Sequence, residues 1–223
     1  MPFKEVSGAL TDELRRLGWT HSSGPPDERS VLVAMNEAGE GLGRRVRGRG
    51  GAKLEILAPT ASDRAHPRSL SALHGLGRLP LHVETSHRPR PCRYVVLGCL
   101  DPGTPAVATM LVDRHTLDLS SSDNALLRSA AVLVRAGRRS FYSTIMREDA
   151  PFLRFDPGCM EAVDDRGRAA MQIIEERLVR ASPIFHEWNG GDIVVIDNWR
   201  MLHGRTSAAS ATGRRLARIL VDD

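Results

Sequence analysis

His82 and Glu84, in Pro80-Leu81-His82-Val83-Glu84-Thr85, and His203, in Asp197-Asn198-Trp199-Arg200-Met201-Leu202-His203-Gly204, are the residues best suited to hold a metal ion. On an extended strand, side chains two apart point to the same face, so His82 and Glu84 can grip one ion while Val83 packs behind them. The third donor must come from another strand. Two neutral nitrogens and one carboxylate oxygen on one face of an octahedron leave three positions open, the arrangement that suits non-heme Fe(II) oxygen chemistry.

A lone His-x-Glu carries little weight, and its surroundings supply the rest. Gly191 to Asn198 reads as a turn followed by a buried apolar strand, which delivers His203 just beyond its end. Arg214, Leu216 and Arg218 alternate along the last apolar segment, so both arginines share one face of a final strand. Burying two guanidinium groups without anions is costly, and such a face calls for anionic partners or for water.

From about Ser69 to its end the chain resembles the Fe(II) and 2-oxoglutarate-dependent oxygenases of the clavaminate synthase and taurine dioxygenase (TauD/TfdA-like) type, most strongly around His82, His203 and Arg214. Glu84 resembles the clavaminate synthase and arginine hydroxylase branch, where most relatives have Asp. The resemblance implies that His82, Glu84 and His203 ligate Fe(II). It also implies that Arg214 forms a bidentate pair with the distal carboxylate of 2-oxoglutarate and that the Thr109 hydroxyl helps to hold it. A one-residue register slip would exchange faces and make Arg215 the clamp.

The implied reaction consumes O2 and 2-oxoglutarate, releases succinate and CO2, and hydroxylates an aliphatic C–H bond. The metal and co-substrate carry the hard chemistry while the protein positions the target bond. Desaturation or oxidative cyclisation would use the same residues. Halogenases of related folds need a small residue in place of the carboxylate, which Glu84 excludes. Arg218 stands where the resembled branch holds a substrate carboxylate. Asp156, in Arg154-Phe155-Asp156-Pro157-Gly158, matches a segment that presents acid to a cationic substrate end, with Gly158 replacing a second acid. Asp156 reads equally well as the start of an Asp-Pro-Gly turn. A small free amino acid or derivative in specialised metabolism is the implied substrate. The alternative of another class is a non-catalytic β-barrel protein that binds a small anion.

Composition agrees with this without pointing to it. At 223 residues the chain suffices for one core, and residues 1–223 are expected to form one domain in which residues 1–60 add helices and a strand. No apolar run is long enough to span a bilayer, and Met1 to Glu5 carries no signal-peptide pattern, so a cytoplasmic protein without a membrane partner is expected. Cys92, Cys99 and Cys159 have neither even number nor metal-binding spacing and read as buried small hydrophobes. The formal charge of +4 is carried almost wholly by Arg spread along the chain. No nucleic-acid partner is expected, and Arg44 to Gly51 reads as a solvated Arg/Gly loop at the mouth of the site, opposite a second loop from Arg88 to Arg93.

The positioning elements are mostly strands. Helices are expected from Thr11, from about Asp27 to Ala38, from Ser122 to Val134 and from Asp164 to Val179. Strands are expected at Leu54 to Leu57, Tyr94 to Leu100, Thr109 to Val112, Ser140 to Met146 and Phe152 to Phe155. Many short strands with a few helices outside them suggest a mostly β protein with peripheral helices, built on a double-stranded β-helix or cupin-like jelly-roll core. His74, His87 and His186 are expected to be ordinary polar histidines, and Trp199 to pack the final strands.

Overall fold

The computed structural model describes residues 11–67 and 69–223. The reading made on Met1 to Glu5 lies outside these residues. A helix over 11–17, α1, precedes β1 (Trp19–Ser23) and α2 (Glu28–Leu42), which starts at the Asp27 side-chain cap on Ser30 N. Then follow β2 (Arg44–Val46), β3 (Glu55–Leu57), the short α3 (Leu70–His74), β4 (Leu79–His82), β5 (Tyr94–Asp101) and β6 (Thr109–Asp113). After α4 (Ser121–Ser129) come β7 (Val132–Val134), β8 (Phe141–Ser143), β9 (Met146–Arg147), β10 (Ala150–Leu153) and β11 (Met160–Ala162). The chain closes with α5 (Asp165–Arg180), β12 (Ile184–His186), β13 (Asp192–Asp197), β14 (Met201–Arg205) and β15 (Arg215–Asp222).

Two antiparallel sheets face each other. The larger runs β1-β13-β5-β15-β2 with β3 also on β15, and the smaller runs β12-β6-β14-β4. Alternation along the strands explains why the sheets stack. Val95, Leu97 and Cys99 of β5, Val194 and Ile196 of β13, and Leu216 and Leu220 of β15 meet Leu111 of β6 and Met201 of β14 between the sheets. The intervening residues Val96, Ile193, Val195, Ala217, Ile219 and Val221 turn outward and are covered by Leu14, Val31 and Met35 from α1 and α2. Gly98 is needed there, because a Cβ would overlap Met35 Sδ and come within 2.7 Å of Val31 Cγ1. On the far side of the smaller sheet, Leu81, Met110, Val112 and Leu202 pack against Leu127 of α4 and Ala170 and Ile174 of α5. This is the expected double-stranded β-helix, mostly β with peripheral helices.

Several elements differ from expectation. The helix expected through Val134 stops at Ser129, held at its start by a capping box between Ser120 and Asp123. Val132 to Val134 form β7, since alternating β-branched residues with partners on both sides, β11 and β8, gain more as a strand. The helix expected to end at about Ala38 runs on through the buried Gly39 to Leu42 and stops at Gly43, whose N–H bonds to Gly39 O. The Arg/Gly segment is not wholly a loop: residues 44–46 pair with Asp222, Val221 and Leu220 of β15 before the chain turns.

Candidate metal and anion site

Strand β4 lies against β14 with His82 directly opposite His203, which sets the two imidazoles 4.6 Å apart, centroid to centroid. The strand ends at His82, so Glu84 is not the same-face neighbour on one strand that the spacing suggested. A turn presents it instead. Thr85 is left-handed, with φ 57°, and reverses the chain directly after Glu84. Asn198, fully buried at the end of β13, clamps this turn: its Oδ1 accepts the Glu84 N–H at 2.7 Å and its Nδ2 donates to the Glu84 carbonyl at 3.0 Å and to Cys92 O at 2.8 Å. One ligand atom from each of His82, Glu84 and His203 lies within 4.8 Å of the others, close to the roughly 4.4 Å that two metal–ligand bonds can span.

The protonation states suit cation binding. His82 Nδ1 faces the Pro80 carbonyl at 3.0 Å; a carbonyl can only accept, so Nδ1 donates there and Nε2 is the ring nitrogen left to face a metal. Burial, helped by His82 and opposed by Glu84, pulls the His203 pKa down to about 3. His203 is therefore neutral at ordinary pH, and its 3.9 Å approach to Glu84 is not an ion pair. Burial raises the Glu84 carboxyl, but Arg218 and, to a smaller extent, His82 and His203 outweigh it and bring it to about 2. Two imidazoles beside one ionised carboxylate, with a buried His203 Nδ1 that has no partner among the described residues, make a donor set that fits a divalent metal.

These residues line a cavity of about 420 Å³, with Arg214, Leu216 and Arg218 along one wall and Thr109 and Arg205 along another. The last strand begins at Arg215, one residue later than the expected shared face requires, yet Arg214, just before it, is buried and lines the cavity, while Arg215 is exposed and pairs with Glu28 at 3.2 Å. Arg214 is 7% exposed, and no acceptor among the described residues reaches its guanidinium. Burial, together with neighbouring Arg205, lowers its pKa to about 10. An unpaired buried cation facing a cavity is a site for an anion. Thr109, in β6, is buried, lines the same cavity and accepts the Trp188 indole N–H at 2.9 Å.

The other two predicted residues have protein partners. Arg218 donates to Glu84 and, at 2.7 Å, to Glu55 of β3. Asp156 lines the cavity but also serves its own turn, accepting Gly158 N–H at 2.8 Å and the Cys159 thiol at 3.4 Å. Sequence reading missed Glu55, Asn198 and Arg205. The last follows His203 by two on β14 and so shares its face; it donates to the carbonyls of Gly75 and Gly77 and keeps a buried Nη1 with no partner among the described residues. Same-face spacing could have found Arg205, whereas Glu55 and Asn198 carry no local signal.

The two loops expected at the mouth meet there. Arg88 donates to Arg47 O, and Arg49 Nη2 lies 3.4 Å from His87 Nδ1. Arg154, fully buried, holds the second loop from below by donating to the carbonyls of Ser86, of Arg88 at 2.6 Å and of Pro89 at 2.7 Å.

Comparison with known proteins bears on the fold and the family. An asparagine oxygenase in complex with Fe(II), 2S,3S-3-hydroxyasparagine and succinate is 18% identical, with a TM-score of 0.77 over 98% of this chain and 79% of that one. The non-heme iron oxygenase OrfP in complex with Fe, succinate and (3S)-hydroxy-L-Arg is 19% identical, with a TM-score of 0.77 over 100% of this chain and 82% of that one. At these identities the likeness establishes the fold. No curated protein matches the sequence. The family model described as "Taurine catabolism dioxygenase TauD, TfdA family" matches residues 105–220, which hold Thr109, Asp156, His203, Arg214 and Arg218, with His82 and Glu84 just outside. Since that match spans more than half of the chain, this protein belongs to the TauD, TfdA dioxygenase family.

Proposed function

We propose that this dioxygenase binds Fe(II) through His82, Glu84 and His203 and 2-oxoglutarate through Arg214 and Thr109, and that it hydroxylates an aliphatic carbon of a small free amino acid or derivative. The observation that carries the proposal is one cavity holding a divalent-metal donor set together with a buried, unpaired Arg214. An anion-binding protein would need the arginine and not the two imidazoles.

Iron and 2-oxoglutarate, when bound, supply O2 activation and the oxidising power, with succinate and CO2 as co-products. The chain's own residues bind and orient. Arg214 presents a planar fork to a carboxylate, and the apolar Leu97 and Leu216 in the cavity lining favour that pairing. Arg218, which donates to Glu84 and Glu55, would hold a substrate carboxylate through an Nη if the Glu84 carboxylate were engaged by a metal. Glu55 and Asp156 then offer negative charge for an ammonium or another cationic end. The asparagine and arginine-derived ligands of the structural neighbours are zwitterions of this kind. The three free, buried cysteines fit a reducing cytoplasm, where we place the enzyme, as one domain.

Anaerobic addition of Fe(II) and 2-oxoglutarate should produce a weak visible charge-transfer band, absent in His82→Ala and needing more 2-oxoglutarate in Arg214→Ala. Amino acids that accelerate succinate release under O2 then identify the substrate. No band in folded, iron-loaded wild type would overturn the proposal.

A further inference from the structure

Thr109 is the neutral member of the anion site, and its hydroxyl is already half committed. Its oxygen accepts the Trp188 indole N–H at 2.9 Å, both side chains being buried, at 3% exposure each. A hydroxyl has one proton and two lone pairs in fixed angular relation. Filling one lone pair from Trp188 confines the proton to the two remaining directions, and no acceptor among the described residues takes it. The neighbouring Thr206 behaves differently, giving its hydroxyl proton to the backbone at Ala108 O. Thr109 lines the same cavity as Arg205 and Arg214, directly opposite Arg205 in the β6–β14 ladder. An indole N–H cannot accept, so nothing on that side can capture the hydroxyl proton.

We infer that Trp188 is a positioning residue for the co-substrate: it holds the Thr109 hydroxyl as an obligate donor, with its proton turned into the cavity towards the distal carboxylate bound by Arg214. This rests on the 2-oxoglutarate reading above. Tryptophan is suited to the task because its rigid ring, packed edge-on against His186 with centroids 4.6 Å apart, delivers a donor that never reverses role.

The test is calorimetric binding of 2-oxoglutarate to the Mn(II)-loaded full chain, which needs no turnover. Trp188→Phe, which keeps the ring and loses the N–H, should bind roughly threefold to tenfold more weakly, the value of one hydrogen bond. Thr109→Val should lose a similar factor, and adding Trp188→Phe to it should cost less than about twofold further, because the indole then has no hydroxyl to orient. Wild-type affinity in Trp188→Phe, or a full penalty retained in the Thr109→Val background, would overturn the inference. Absence of binding in wild type would instead sink the co-substrate reading. Should Trp188→Phe not fold, the indole N–H resonances of the intact protein decide: the Trp188 signal should move on adding 2-oxoglutarate to wild type and stay put in Thr109→Val. A signal that moves equally in both would refute the coupling.

Discussion

Replacing Arg214 by methionine should make the ligand-free protein more stable and, at the same time, unresponsive to 2-oxoglutarate. Burial without a counter-ion lowers the guanidinium pKa from 12.5 to about 10, which corresponds to roughly 3 kcal/mol against the charged form. Arginine is charged in both folded and unfolded chains at neutral pH. The folded state therefore carries this cost throughout the range below about pH 10, and it fades only as the pH climbs towards the unfolded value of 12.5. Methionine has similar volume and no charge; after allowing for imperfect packing, the gain should be about 1–3 kcal/mol. For a chain of this length that is roughly 2–10 °C in Tm. At a hundredfold excess over Kd, 2-oxoglutarate should stabilise wild type by about 2.7 kcal/mol and leave the variant unmoved, so the order of stability closes or inverts. Thermal and urea unfolding of the Mn(II) forms, each with and without 2-oxoglutarate, measures both arms. A variant less stable than wild type by more than about 1 kcal/mol without ligand, or stabilised by 2-oxoglutarate as wild type is, would refute the argument.

Other expectations follow from neighbouring contacts. His203 is held near pKa 3 chiefly by burial, and His87 near 4 by burial and then by Arg49 and Arg88, both below the ordinary 6.5. The unfolded chain therefore takes up protons first, and the metal-free protein should lose stability as pH falls from about 6.5 towards 4; urea titrations should show His87→Gln with a shallower slope. Asn198→Ala removes the clamp on both backbone groups of Glu84, so Mn(II) affinity should fall about tenfold, with about 2 kcal/mol lost from folding; unchanged metal binding would show that the turn holds itself. Gly48→Ala would drive a Cβ into the Glu55 carboxylate, so KM for substrate should rise several-fold while the Kd for 2-oxoglutarate stays as it was. Arg154→Met leaves the Ser86, Arg88 and Pro89 carbonyls without their donor and should cost about 2–4 kcal/mol, with faster hydrogen exchange confined to residues 85–91.

Residue chemistry singled out His82, Glu84 and His203 as candidate donors, and alternation singled out Arg214 and Arg218 on the final apolar segment, where a charged group facing a core demands a reason. Thr109 and the roles of the two arginines came from the family resemblance and not from any pattern, and the period-two argument that put Glu84 on one strand with His82 failed because β4 ends at His82. The same patterning located β5, β6 and β13 and the start of α2 at Asp27, since local sequence specifies alternation and capping. It misjudged Val132 to Val134, whose spacing fits helix or strand equally until β11 and β8 supply ladder partners. It also could not separate Arg214 from Arg215, because register is a property of the pair of strands and not of either one.

What tertiary structure alone decided are the relations between residues far apart in the chain. Asn198 gripping Glu84, Trp188 reaching Thr109, Glu55 meeting Arg218 and Arg154 propping the loop at Ser86 span separations of 114, 79, 163 and 68 residues. Each rests on one or a few hydrogen bonds or an ion pair with no periodicity, so a sequence offers no pattern from which to read it. Those contacts arise only after two twisted sheets have closed over a common core and brought unrelated strand ends together. The sequence determined which chemistry the chain can hold, because metal donors and anion-binding cations must be particular side chains; the closed fold decided which of them face one cavity, because only packing sets distance.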